Sequence, residues 1–160
     1  MSKTIILVRH SFAENGSFKT KDFDRELTAQ GIQFAKLQSI KLSESFLNVD
    51  FIVSSDAKRA IQTAEILNEK INATNGVSRE HFLYSDYTTQ EFINYIHALA
   101  NDLNSILIVG HNPTLANVAN RLSDDFNESV SPGTILIIEF KCDNWKDVEV
   151  NTGCIIEIIA

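Results

Sequence analysis

The sequence predicts an α/β fold, a three-layer α/β/α sandwich around a mostly parallel central sheet, and three observations predict it. Ile5-Ile6-Leu7-Val8 and Ile106-Leu107-Ile108-Val109 are unbroken apolar runs rather than alternating ones, as in strands buried on both faces. Between and around them, apolar residues recur at three- and four-residue spacing, the period of helices that cover a sheet. The chain also lacks a repeat, a low-complexity tract or a linker, so residues 1–160 are expected to form a single domain. That length can bury roughly two thirds of the surface of the unfolded chain.

The first run, Thr4 to Val8, stops at Arg9-His10, and the strand from Ser105 to Val109 stops at Gly110-His111. Polar residues at the carboxyl ends of strands in open α/β sheets face the ligand crevice, so two strand-end histidines predict one shared pocket. Ser11 to about Arg25 is a polar loop of about fifteen residues, longer than most connections and expected to rim that pocket. A helix follows, with Thr28 as its cap, running to about Ser43. Phe51-Ile52-Val53-Ser54 reads as a second strand and Ser54-Ser55-Asp56 as a capping cluster. Ala57, Ala60, Ala64, Leu67 and Ile71 then mark a helix with Arg59 in its first turn. Helical side chains lean toward the amino terminus, which aims Arg59 back at the strand ends.

A strand around Arg79 to Leu83 is followed by Thr88-Thr89-Gln90-Glu91, a capping box that opens a helix to about Asn101 with Phe92, Ile96, Leu99 and Leu103 inside. After His111, Asn112 suits an N-cap and Pro113 the first helical position, with Leu115, Val118, Ala119 and Leu122 as the apolar stripe. Ser131-Pro132-Gly133 signals a turn, and the runs Thr134 to Phe140 and Gly153 to Ile159 predict a strand pair at the sheet's edge.

Composition removes several classes of function. Fourteen basic and twenty-one acidic residues give a net charge of −7, which argues against a broad nucleic-acid or anionic-membrane footprint. No apolar stretch has the length of a membrane span. A strand begins almost at the amino terminus, so no signal peptide is expected and a cytoplasmic location is. Cys142 and Cys154 are too few for a disulfide framework and are read as free thiols that face each other across the terminal hairpin. The four histidines and two cysteines form no compact ligand set, so no metal is expected.

If the strand-end and helix-start residues converge, two histidines and two arginines beside a helix amino terminus complement a phosphoryl group. Arginine grips phosphate bidentately and stays charged, and helix amino termini attract the same anion. A neutral imidazole can attack phosphorus and form a phosphohistidine. Neighbouring guanidiniums keep that imidazole unprotonated, while a second histidine, if protonated, can donate to a phosphoryl oxygen. A cation in the first turn of a helix opposes the helix dipole, so the placing of Arg59 itself hints at a bound anion.

These residues carry a family resemblance. Leu7-Val8-Arg9-His10, Arg25-Glu26-Leu27-Thr28-Ala29-Gln30-Gly31, the run from Ser54 to Ala64, and Gly110-His111-Asn112-Pro113 stand in the order found in the histidine phosphatase superfamily. Residues 4 to 140 are similar to its short bacterial phosphohistidine phosphatase branch, the SixA type. The resemblance implies a phosphoglycerate mutase-like fold with His10 as the phosphorylated nucleophile. Arg9, Arg59 and His111 would complete the phosphate pocket, with no metal or organic cofactor. It also implies a phosphorylated protein as partner, bearing phosphohistidine as in a phosphotransfer domain, because the chain lacks the insertions with which larger relatives bind small substrates.

Two departures stand out. Ser11 replaces the glycine that many relatives carry after the histidine, a small change expected to be tolerated. Larger relatives place an acidic proton donor after the third strand; here the segment reads Leu83-Tyr84-Ser85-Asp86-Tyr87, with Asp86 the one candidate acid. A missing acid would favour phosphohistidine, whose P–N bond breaks more easily than an alkyl phosphate's P–O bond. The alternatives are a broad phosphatase for small phosphorylated substrates and a phosphohistidine-binding module without turnover. Arg25 is expected to pair with Asp22 or Asp24 rather than to act in catalysis, Asn15 to stay clear of the phosphate, and His81 and His97 to be ordinary surface or half-buried residues.

Overall fold

The computed structural model describes residues 1–45, 47–124 and 126–160. The chain runs β1 (Lys3–Arg9), α1 (Ala29–Glu44), β2 (Phe51–Ser55), α2 (Lys58–Ile71), β3 (Val77–Glu80), α3 (Thr89–His97), β4 (Ser105–Gly110), α4 (Thr114–Leu122), β5 (Ile135–Phe140) and β6 (Gly153–Ile159). Short 3-10 turns lie at Asp22–Asp24, His81–Leu83 and Trp145–Asp147. The strands form a six-stranded sheet in the order β3-β2-β4-β1-β5-β6. β1 to β4 are parallel; β5 runs antiparallel to β1, and β6 antiparallel to β5.

The continuous apolar runs divide their residues between two cores by the period of two. Ile5, Leu7, Ile106 and Ile108 point to the layer that holds α3 and α4, where Phe92, Ile96, Leu115 and Val118 cover them. Ile6, Val8, Leu107 and Val109 point to the opposite layer, covered by Leu42 of α1 and by Ala60, Ala64 and Leu67 of α2. Each fully buried Leu, Ile or Phe side chain contributes ~1.5–3 kcal/mol. The alanines bring α2 close to the sheet, and with it Arg59.

The register of the two central strands positions the chemistry. Arg9 pairs with Gly110, and the His10 amide donates to the Gly110 carbonyl at 3.1 Å. His10 and His111 therefore leave the sheet side by side. The segment after His10 is pinned by α1: Thr28 caps the helix through the Gly31 amide at 3.0 Å, and the buried Ser11 hydroxyl donates to the Gly31 carbonyl at 2.7 Å. A Cβ on Gly31 would lie 2.0 Å from the Phe12 carbonyl oxygen, so only glycine allows this approach.

Four elements differ from their expected form. β3 ends at Glu80 because β2, its ladder partner, ends at Ser55; the chain then turns and buries Leu83. α3 stops at His97 rather than near Asn101. Beyond it the Asn101 and Leu103 carbonyls accept from the Lys3 ammonium, each at 2.7 Å, and Leu103 also from the Trp145 indole at 2.9 Å, which anchors the segment after the helix in a non-helical path. The Ser54-Ser55-Asp56 cluster does not cap α2, whose N-cap is Ala57 with no side-chain bond. Nor does Asn112 cap α4: Pro113 is the N-cap, and the Asn112 amide donates to the Val130 carbonyl at 2.8 Å. Among the described residues, no helix is long and apolar enough to cross a membrane.

Candidate active site

A cavity of about 550 Å³ opens at the carboxyl ends of β1 and β4, and Arg9, His10, Arg59 and His111 all line it. The imidazole rings of His10 and His111 stand 5.1 Å apart between centroids. Arg59, only 6% exposed, reaches back from the first turn of α2, and its Nε–H donates to His10 Nε2 at 3.3 Å. Arg9 donates through Nη1 to the Val130 carbonyl at 2.8 Å. The four residues singled out in the sequence thus meet in one concavity.

Hydrogen bonds define each imidazole. His10 Nδ1 lies 2.7 Å from the Ser11 carbonyl, which can only accept, so the ring hydrogen is on Nδ1 and Nε2 keeps its lone pair. Burial lowers the His10 pKa to about 4; the bond to Ser11 works against that shift, and the charges of Arg59, Arg9 and Arg25 add to it. His111 falls to about 3, first through burial and then through His10 and Arg59. Both rings are neutral near pH 7, so the condition attached to donation by the second histidine, that it be protonated, is not met. His111 Nε2 lies 2.7 Å from Ser55 Oγ, and that oxygen already accepts from the Ala57 amide at 3.2 Å. We assign the Ser55 hydroxyl hydrogen to His111 Nε2, which leaves the ring hydrogen of His111 on Nδ1 as a donor without needing a proton from solution. Buried His111 Nδ1 and Arg9 Nε have no hydrogen-bond partner among the described residues.

The sequence reading missed the anionic side of the cavity. The 3-10 turn at Asp22–Asp24 folds over it, and Asp22 meets Arg59 twice, through its carbonyl at 2.6 Å and its Oδ2 at 3.1 Å. Oδ2 also accepts from the Tyr84 hydroxyl at 3.0 Å, and Oδ1 pairs with Arg25 at 2.7 Å. Partial burial would raise the Asp22 carboxyl, but Arg25, Tyr84 and Arg59 hold it down to about 2. The expected Arg25 to Asp22 pair is present, yet both residues line the cavity, so the pair belongs to the site rather than to the outer surface. Ser55 was likewise read as a cap residue. A polar loop with alternating acids and bases beside a strand-end histidine was the available signal for Asp22; nothing local marked Ser55.

Asp86 lies on the cavity wall beside Ser85. Asn15 is exposed and is not among the lining residues. His81 is exposed and bonds Asp56 at 2.7 Å, while His97 is half-buried against the Val148 carbonyl at 2.8 Å. Cys142 and Cys154 are free; Cys154 sits opposite Glu139 in the β5–β6 ladder and Cys142 lies beyond the end of β5, so the two thiols do not face each other. No cluster of three or more His, Cys, Asp or Glu side chains suited to a metal occurs among the described residues.

A family model described as histidine phosphatase superfamily (branch 1) matches residues 5–82. No curated protein matches the chain significantly. Among solved structures, a Nakamurella multipartitia protein provisionally called phosphohistidine phosphatase SixA has a TM-score of 0.85 at 22% identity, over 100% of this chain and 96% of its own. The protein histidine phosphatase SixA complexed with tungstate gives 0.83 at 18%, over 98% and 96%. A mycobacterial glucosyl-3-phosphoglycerate phosphatase gives 0.67 at 12%, over 94% and 96%. At these identities the likeness is one of fold.

Proposed function

We propose that this chain is a member of the histidine phosphatase superfamily, whose model matches residues 5–82, and a metal-independent phosphatase that takes phosphoryl groups from phosphohistidine in a protein. It works as one catalytic domain. His10 Nε2 attacks phosphorus, forming an N–P bond as the P–N bond of the substrate breaks, and the departing imidazole takes up a proton. Water then attacks phospho-His10, releasing orthophosphate and restoring the imidazole. Arg9 and Arg59 balance charge on the phosphoryl oxygens, and the neutral His111 donates through Nδ1. The incoming phosphoryl competes with Asp22 for the Arg59 guanidinium.

One observation supports this reading above the others. His10 is held neutral with its lone pair on Nε2, at 3.3 Å from the guanidinium that would bind the phosphoryl. A protein histidine phosphatase with the same fold forms a complex with the oxyanion tungstate, which supports an oxyanion as ligand. A second reading, a broad small-substrate phosphatase, draws on Asp86 at the cavity wall as a proton donor for alkyl phosphates.

The test is to mix the protein with a ³²P-phosphohistidine protein, quench rapidly and look for label on the enzyme, alongside turnover of an aryl phosphate. The expected result is acid-labile label on His10, absent from His10→Ala, with faster turnover of the phosphohistidine protein. An unlabelled wild-type enzyme would sink the covalent mechanism and favour a binding module. Faster turnover of aryl and alkyl phosphates would move the assignment to the second reading.

A further inference from the structure

The catalytic cavity has a neighbour of opposite character. Ser85 and Asp86 form a wall shared with a cleft of about 300 Å³ between the 3-10 turn at His81–Leu83 and α3. The rings of Phe82, Tyr87 and Tyr95 line this cleft, with Phe82 5.4 Å from Tyr87 and 5.1 Å from Tyr95 between centroids. Asp86 and Glu91 supply two carboxylates, and no lysine, arginine or histidine lines it. Glu91 commits Oε2 to the Thr88 amide and hydroxyl, at 2.7 and 2.9 Å, as its part of the capping box, and its second oxygen remains available to a ligand.

Aromatic faces beside carboxylates attract an organic cation twice over, through the ring quadrupole and through charge. The arginine-rich catalytic pocket attracts an anion. Two adjoining sites of opposite preference fit one molecule that carries a phosphoryl group and a cation close together. We propose that the cleft is a recognition subsite for a lysine or arginine side chain that neighbours the phosphorylated histidine of a protein substrate. The assignment rests on the phosphatase reading above and narrows its substrate class. Asp86, on the shared wall, faces both groups at once. Glu91 and Tyr95 touch only the flanking side chain.

The test uses phosphohistidine peptides that differ only in a single lysine moved through the positions on either side of the phosphohistidine, with alanine and norleucine controls. At one or two positions lysine is expected to raise kcat/KM ~5–10-fold over alanine, chiefly through KM. Norleucine is expected to match alanine. Glu91→Gln keeps the capping box and Tyr95→Leu keeps apolar packing; each is expected to bring the lysine-to-alanine ratio close to one. Hydrolysis of an aryl phosphate by the same variants reads the catalytic pocket separately. Equal kcat/KM for every peptide would overturn the subsite while leaving the phosphatase standing. Norleucine as effective as lysine would make the cleft an apolar groove and also overturn it. Loss of aryl phosphate turnover by the same factor as the lysine peptide would reduce both residues to a structural role. Failure to turn over any of the peptides would remove the protein-substrate reading and this inference together.

Discussion

His10 and His111 begin from the same local sequence, an apolar parallel strand that ends on an imidazole, and finish with opposite chemistry. The hydrogen of His10 is fixed on Nδ1 by a backbone carbonyl one residue away, so Nε2 presents a lone pair. That of His111 we assign to Nδ1, because a side-chain hydroxyl from a different strand, Ser55 on β2, stands at Nε2. Burial keeps both rings neutral, at about 4 and about 3. The difference teaches that charge does not separate nucleophile from donor in this site. What separates them is which nitrogen the protein occupies from behind.

The largest expected effect breaks the comparison at its nucleophilic end. His10→Ala should lower turnover by on the order of 10⁴-fold or more with phosphoenzyme undetectable by quench labelling, and an unchanged thermal midpoint would show that the loss is chemical. His111→Ala removes one donor to the developing charge and should cost ~10²–10³-fold in kcat while the phosphoenzyme still forms. A complete loss of labelling there would mean that the two roles are not separate. Ser55→Ala leaves the His111 hydrogen free to move to Nε2; a fall of ~10–100-fold in kcat, recovered in Ser55→Thr, would support the tautomer assignment, and an unchanged rate would contradict it.

Acid sharpens the same contrast without a mutation. Protonating His10 removes its lone pair, so kcat/KM should stay level as pH falls past the ordinary histidine value and drop ~tenfold per unit only below about 4. Folding stability follows a related rule. The folded-state pKa of His10 is depressed, so its contribution is fully present above about 6.5 and is lost as pH falls toward 4, because the unfolded chain takes up the proton first. The smallest expected change is at Asp22, whose carboxylate is about half exposed. Asp22→Asn should lower the inhibition constant of inorganic phosphate a few-fold, since the competing anion on Arg59 is gone. A higher constant would make Asp22 a positioning residue for Arg59.

The fold was legible wherever a local period reports burial. Ile5 to Val8 and Ile106 to Val109 read as two-faced strands, and the Thr88–Glu91 capping box and the Ala60–Ala64–Leu67 stripe read as helices, because each pattern is complete within a few residues. The reading erred where distant donors intervene. Lys3 and Trp145 anchor the carbonyls of the segment that follows α3, and the Asn112 amide turns to Val130 instead of capping α4. In the site, Arg9, His10, Arg59 and His111 were legible because strand ends and helix phase fix their direction. Asp22 and Tyr84 were not: their contacts span 37 residues, from Asp22 to Arg59, and 62, from Asp22 to Tyr84.

By itself, the sequence determined the alternation of strands and helices, the burial of the central strands on both faces, and which four side chains point toward the crevice, since these follow from side-chain periodicity and from how a helix leans. Only the tertiary structure decided the proton on each imidazole, the carboxylate that meets Arg59, and the acidic aromatic cleft beside the pocket. Those properties are set by hydrogen bonds and packing between residues remote in the chain, and their energies depend on distance in space, which no local pattern encodes.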